Sequence, residues 1–111
     1  MLHVTTRFLA GATIVECGGR LVLGDETATL RNVVKAALQK SKRIVIDMGD
    51  VSFIDSAGVG MLASLLMSAQ MAGGALKLAN LSPRMQDMMQ ITRLYIVLEV
   101  FDTTEAAVRS F

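Results

Sequence analysis

The sequence predicts an α/β fold: a mostly parallel sheet of about five strands, opened by an antiparallel N-terminal hairpin strand and packed with about four helices. Three observations lead there. Short β-prone runs alternate with segments of helical apolar spacing along the whole chain. In the middle, Ile44-Val45-Ile46 is a continuous apolar run, the mark of a strand covered on both faces. At the start, two strand-like runs are separated by only Ala10-Gly11-Ala12, which reads as a hairpin. Strands that alternate with helices imply right-handed crossovers and parallel pairing.

The first two strands are Val4 to Leu9 and Thr13 to Cys17. Gly18-Gly19 then breaks the pattern, with Leu21 to Leu23 as an extension of the second strand past a bulge. From Asp25 to Lys40 the spacing is helical: Leu30, Val33, Val34, Ala37 and Leu38 share a face, and Arg31, Asn32, Lys35 and Gln39 fall opposite. Asp25 and Glu26 stand where the positive end of the helix dipole favours acids. A second helix runs from about Ala57 to Ala72 and is closed by Gly73-Gly74. Leu76 to Ala79 reads as a strand, and Ser82-Pro83 as an N-cap with Pro at the first helical position. The inward face of that third helix is Met85, Met88, Met89 and Thr92. Ile96 to Phe101 is the last strand, and Asp102 with Glu105 forms a capping box before a short final helix.

At 111 residues the chain suits one domain, residues 1–111, with no linker or repeat. Hydrophobic residues make up 52% and charged residues 19%, so a sizeable core is expected. The eleven Lys and Arg are scattered over a chain of net charge +1, which leaves no basic face for nucleic acid. The single Cys17 has no partner for an internal disulfide and reads as a buried thiol in a reducing compartment. Met1 to Arg7 lacks the apolar stretch of a signal peptide, so a cytoplasmic location is expected. Ser56 to Leu76 carries no formal charge, but its serines, Gln70 and four glycines favour a buried helix over a membrane span.

Enzyme readings fail for want of parts. His3 and Cys17 are the only His and Cys, too few for a zinc site of the usual ligands. Ile54-Asp55-Ser56-Ala57-Gly58 places a serine between strand and helix, as a nucleophile elbow does. Its first glycine is missing, and the only histidine precedes the serine instead of following it. Gly58-Val59-Gly60 begins a dinucleotide fingerprint, yet the acid about 20 residues on is replaced by Leu78, Ala79 and Asn80. No cofactor is called for.

What remains is the segment from Val45 to Leu62: a strand ending in Asp47, a short loop, then Asp55-Ser56-Ala57-Gly58-Val59-Gly60 opening an apolar helix. It resembles the STAS family, and more narrowly the bacterial anti-sigma factor antagonists. Gly19-Arg20-Leu21, Leu78 to Pro83 and Phe101-Asp102-Thr103 stand where that family has similar segments, so the resemblance spans nearly the whole chain. It implies a STAS fold and a regulatory protein that binds a partner and is not an enzyme. The implied partner is an anti-sigma factor that is also a serine kinase of the ATP-binding type. It binds the unmodified antagonist, and the phosphorylated form is released and later restored by a phosphatase. Carried over to this sequence, Ser56 is the phosphoacceptor and Asp55 its acidic neighbour. Asp55, Ser56, Ala57, Gly58, Gly60 and Met61 then form the partner-binding surface, with Asp25 and Glu26 as the acids left to face a partner. A monomer that enters heteromeric complexes is the default.

The residues suit that task on physical grounds. A helix N-terminus tolerates a phosphate, and Gly58 and Gly60 are expected to leave backbone uncovered for close approach. About two extra negative charges beside Asp55 would be repelled and desolvated on docking. That costs about 2–5 kcal/mol, or roughly 30- to several-thousand-fold in affinity. The same residues also fit a simpler role, with Asp55 or Ser56 as an N-cap and the glycines serving close packing. Of Met61, Met67, Met71, Met85, Met88 and Met89, most read as core, with Met61 as the exposed contact one turn beyond Ser56.

Three positions depart from the pattern: Ala57 replaces a common Ser or Thr, Val22 a common acid, and Arg93 a small residue at the end of the third helix. The Asp-Ser-Ala-Gly form also resembles STAS subunits of bacterial lipid-transport ABC systems, which bind an ATPase without a phosphoswitch. A nucleotide binder or small enzyme built on the Ser56–Gly60 loop is the third reading.

Overall fold

Local sequence signals account for most of the element boundaries. A computed structural model describes residues 2–111. The strands are β1 (Leu2–Leu9), β2 (Ala12–Leu21), β3 (Arg43–Ile54), β4 (Ala75–Ala79) and β5 (Val100–Phe101). The helices are α1 (Asp25–Leu38), α2 (Ser56–Met71), α3 (Pro83–Ile91) and α4 (Thr104–Arg109), with one 3₁₀ turn at Leu94–Ile96. The sheet runs β1-β2-β3-β4-β5; β1 is antiparallel to β2 and every other pairing is parallel. That is the α/β order expected from the sequence.

The sheet separates two apolar layers of unequal size. On one face Val15, Cys17, Ile44, Ile46 and Leu78 meet Leu30 and Val34 of α1, Leu62 and Leu65 of α2, and Met85 and Met89 of α3. On the other, Ala12, Ile14, Val45 and Ala79 are covered by Ala107 of α4, with Phe101, Val108 and Phe111 around them. The buried Lys77 lies on this second side. Its ammonium donates to the carbonyl and hydroxyl oxygens of Ser110 at 3.0 and 2.7 Å and stands 4.6 Å from the Phe111 ring centre. A buried cation needs such partners, and here they fasten the C-terminus onto the sheet. Cys17 is buried as expected, and burial pushes its thiol up to about 12.

Four expectations need correcting. β3 does not end at Asp47: no loop follows, and the strand continues to Ile54. β2 does extend past an irregularity at Gly18-Gly19, as expected, and ends at Leu21. The reason lies in their register, which runs Glu16↔Asp47, Gly18↔Asp50, Gly19↔Val51, Arg20↔Phe53. β3 advances one residue more than β2 at two places, so it carries the extra residues of two bulges. Its inward residues Met48, Val51 and Ile54 are therefore spaced by three, and a search for period two does not see them.

The last strand is only Val100–Phe101, because Ile96 lies in the 3₁₀ turn and Leu98 turns into the core. The pairing bonds are Leu78 N–H to Glu99 O at 2.9 Å and Asn80 N–H to Phe101 O at 3.1 Å. The α4 cap is Thr103, whose hydroxyl accepts from Ala106 N–H at 3.0 Å, and not Asp102. On α3, Thr92 is exposed and its hydroxyl donates back to the Met88 carbonyl.

One close approach sets the spacing between α2 and β4. Gly74 N–H donates to Ala69 O at 2.8 Å, and a Cβ built on Gly74 would lie 2.3 Å from the Lys42 carbonyl oxygen. That neighbour is backbone at the start of β3 and cannot rotate away. Gly74→Ala is expected to lower stability by about 1–3 kcal/mol, read as a lower urea midpoint with an unchanged slope. An unchanged midpoint would show that this turn yields freely.

Candidate functional site

The geometry of Asp55 organises the candidate site. It follows the last residue of β3 with extended backbone (φ −102°, ψ −178°) and acts as the N-cap of α2. One carboxylate oxygen accepts from Gly58 N–H at 2.8 Å, a side-chain cap that satisfies an otherwise open first-turn donor. The other accepts from Leu23 N–H at 3.1 Å, in the loop between β2 and α1. These bonds, Gly58 first and Leu23 second, hold the Asp55 carboxyl below the usual carboxylate range. Backbone adds a third tie, Asp55 N–H to Leu21 O at 3.3 Å.

Ser56 is the first residue of α2, one position earlier than expected for the helix, and it is exposed. Ala57 is half-buried. Gly58 is buried, which corrects the expectation that it leaves backbone open. A Cβ there would lie 2.3 Å from the Leu21 carbonyl and 2.7 Å from Ile54, so this glycine lets α2 pack on the β2–β3 end. Gly60 fits the expectation better: it is exposed, and a Cβ there would meet nothing within 4 Å. Met61 is half-buried and packs against the core. The exposed methionines of α2 are instead Met67 and Met71, at 62% and 87%. Met85 and Met89 are core, as expected.

Asp25 and Glu26 open α1 directly after the Leu23-Gly24 loop, and the Leu23–Asp55 bond draws that loop to the start of α2. Asp25 is exposed and Glu26 half-buried. Leu23 was not foreseen as a site residue. It is 76% exposed, an apolar side chain held beside the α2 N-terminus by its own amide. Nothing in the sequence marks it, since its position depends on a carboxylate in another segment.

The exposed residues of α2 are therefore Ser56, Gly60, Ser64, Met67, Gln70 and Met71, and the helix carries no charged residue. Its 16 residues end at Met71, and among the described residues no helix is long and apolar enough to cross a membrane. Such a surface offers the hydroxyls of Ser56 and Ser64, a bare stretch of backbone at Gly60 and the acid Asp55 beside Ser56. It suits contact with another macromolecule.

The family model of the STAS domain matches residues 3–107. The chain belongs to the STAS domain family. Over 80 residues it is 30% identical to the anti-sigma-B factor antagonist of Bacillus subtilis, covering 72% of this chain and 73% of that protein. The crystal structure of an anti-sigma factor antagonist from Mycobacterium paratuberculosis is similar at a TM-score of 0.84 and 20% identity, over 99% of this chain and 93% of that one. The Bacillus cell fate determinant SpoIIAA in its phosphorylated form is similar at 0.73 and 21%, over 97% and 98%. At those identities the two structures establish a shared fold. In this STAS domain that fold places the Asp55-Ser56 step at the junction of β3 and α2.

The lowered Asp55 carboxyl sets a pH signature. Stability drawn from a depressed carboxylate is fully present above its unfolded pKa, near 4, and is lost as pH falls through the folded value. Asp55→Asn keeps one acceptor oxygen and loses the charge, so its urea midpoint should lie below that of the wild type at pH 7. The gap should narrow steadily below about pH 4. A gap of the same size at pH 2.5 and pH 7 would show that the charge of Asp55 plays no part.

Proposed function

We propose that this STAS domain is an anti-sigma factor antagonist switched by phosphorylation of Ser56. In this reading the unmodified form binds an anti-sigma factor that is also an ATP-dependent serine kinase, and so frees a sigma factor for transcription. Transfer of a phosphoryl group to Ser56 ends the complex, and a phosphatase restores it. The observation that carries the reading is the exposed Ser56 hydroxyl at the first position of α2, directly after the fixed carboxylate of Asp55. The names of the relatives support the role, and the existence of a phosphorylated SpoIIAA supports the modification.

The chemistry favours repulsion at the interface over rearrangement of the fold. The Gly58 amide is already engaged by Asp55, so a phosphate on Ser56 does not find that donor free. It adds up to two negative charges beside an ionised carboxylate on an exposed surface. Partner groups that accept a neutral hydroxyl next to Asp55 then meet three negative charges in place of one. Gly60, one turn on, and the exposed Leu23 supply the neutral contact around that point.

Pull-downs from the native lysate with wild type, Ser56→Ala and Ser56→Asp test the proposal, with phosphopeptide mass spectrometry of the recovered domain. Wild type and the Ala form should retain a kinase-type anti-sigma factor that the Asp form loses by about 30-fold or more. Retention of one partner by all three baits would leave Ser56 as a helix-start contact of a constitutive STAS subunit.

A further inference from the structure

The sheet has one long open edge. β1 pairs only with β2, in unbroken register from Leu2↔Gly19 to Leu9↔Ala12, and no strand lies on its other side among the described residues. Proteins usually blunt such an edge with lysines, prolines, bulges or a covering element. The β1 sequence Leu-His-Val-Thr-Thr-Arg-Phe-Leu has neither Lys nor Pro, and its register shows no bulge. Its one charged residue, Arg7, is engaged with Glu16 of β2 at 3.5 Å, and no strand covers the edge among the described residues.

Its side chains alternate. Leu2 and Val4 join the core on the helical side, and the period of two carries Thr6 and Phe8 to the same side. There α1 leaves them uncovered. A groove of about 250 Å³ runs between β1 and α1, lined by Val4, Thr6, Thr13, Val33 and Lys40 among others. Phe8 stands beyond it, an aromatic ring that is 65% exposed.

We propose that β1 pairs with β1 of a second copy of this chain, antiparallel about a two-fold axis at Thr6, to make one ten-stranded sheet. The symmetry itself limits the register. An axis perpendicular to the sheet keeps both α1 helices on one face, so each residue must meet a partner of the same parity. With the axis at Thr6, Thr6 meets Thr6, Val4 meets Phe8 and Phe8 meets Val4, while Thr5 meets Arg7 and His3 meets Leu9. Threonine pairs and aromatic–β-branched pairs are among the favourable cross-strand contacts. Each Phe8 also lands at the mouth of the other copy's groove, beside the Val4 that lines it. An axis at Thr5 instead sets His3 against Arg7 and moves Phe8 away to Leu2. The contact is isologous and closes on itself, as a two-fold dimer requires. It lies apart from Ser56, because α2 packs over β3 and β4.

Analytical ultracentrifugation of the full chain tests this with four samples. Wild type should sediment as a dimer at high micromolar concentration. Phe8→Ala should raise the dimer dissociation constant at least tenfold, since two aromatic contacts are lost at once. Thr6→Lys and Thr6→Glu should each be monomeric with wild-type circular dichroism, because like charges face each other across the axis. Mixed in equal amounts, they should recover a heterodimer. A wild type that stays monomeric to about 1 mM, Thr6 variants that dimerise as the wild type does, or a mixture that stays monomeric would each overturn the proposal. Should either Thr6 variant fail to fold, the Phe8→Ala constant decides alone.

Discussion

The two oxygens of Asp55 bind amides from segments far apart in the chain, one opening α2 and one in the loop that leads into α1. Remove that bridge and two things change together. The first turn of α2 loses its cap, and the Leu23 loop loses its tether to the β3–α2 junction. The rest of the site depends on this tether. Ser56 is presented at a fixed place because the residue before it is held from three sides: by Gly58, by Leu23 and, through its own amide, by the Leu21 carbonyl. A short capped loop of this kind orders a surface without burying it.

The bulges of β3 supply the platform beneath. Regular alternation from Ile46 and Met48 would carry Ile54 to the core but turn Val51 outward. The first bulge shifts the phase so that Val51 faces the core, and the second restores it so that Ile54 does too. The buried Gly58 completes the junction by letting the helix come within contact of the Leu21 carbonyl. A side chain at position 58 would push α2 away from β2 and take the Asp55 cap out of reach. Packing below and capping above are thus one constraint, expressed through the Asp55-Ser56-Ala57-Gly58 run.

Much of this was legible in the sequence because local chemistry and global fold agree. The helical spacing of Leu30 to Leu38, the Ser82-Pro83 start and the Gly73-Gly74 stop each carry their own signal, and each matches the fold to within two residues. The Ser56 region was legible for the same reason, as a strand followed by a capped apolar helix. The misses share a different cause. β3 beyond Asp47 hides because bulges break its alternation, and β5 shrinks because Leu98 is drawn into the core and leaves two residues to pair. Leu23 and the burial of Gly58 depend on contacts between segments far apart in sequence, which no window along the chain contains. Arg93 closes α3 in the left-handed region at φ 59°, where a glycine or asparagine would have announced the turn.

The same geometry bears on how a charge at Ser56 would act. Asp55 is held ionised by its two amide donors, so a neighbouring phosphate adds its charge to a full negative charge, not to a neutral acid. Like charges so close favour protonation of the stronger base, which here is the phosphate dianion rather than the well-bonded carboxylate. The helix dipole works the other way and lowers the cost of holding both charges at one N-terminus. Within the free domain these effects oppose each other, and the exposed position lets water screen what is left. On docking, water leaves while the repulsion stays, so the energetic difference between the two states of Ser56 grows at the moment of binding. A residue placed this way changes the affinity of the surface while leaving the fold that carries it nearly untouched.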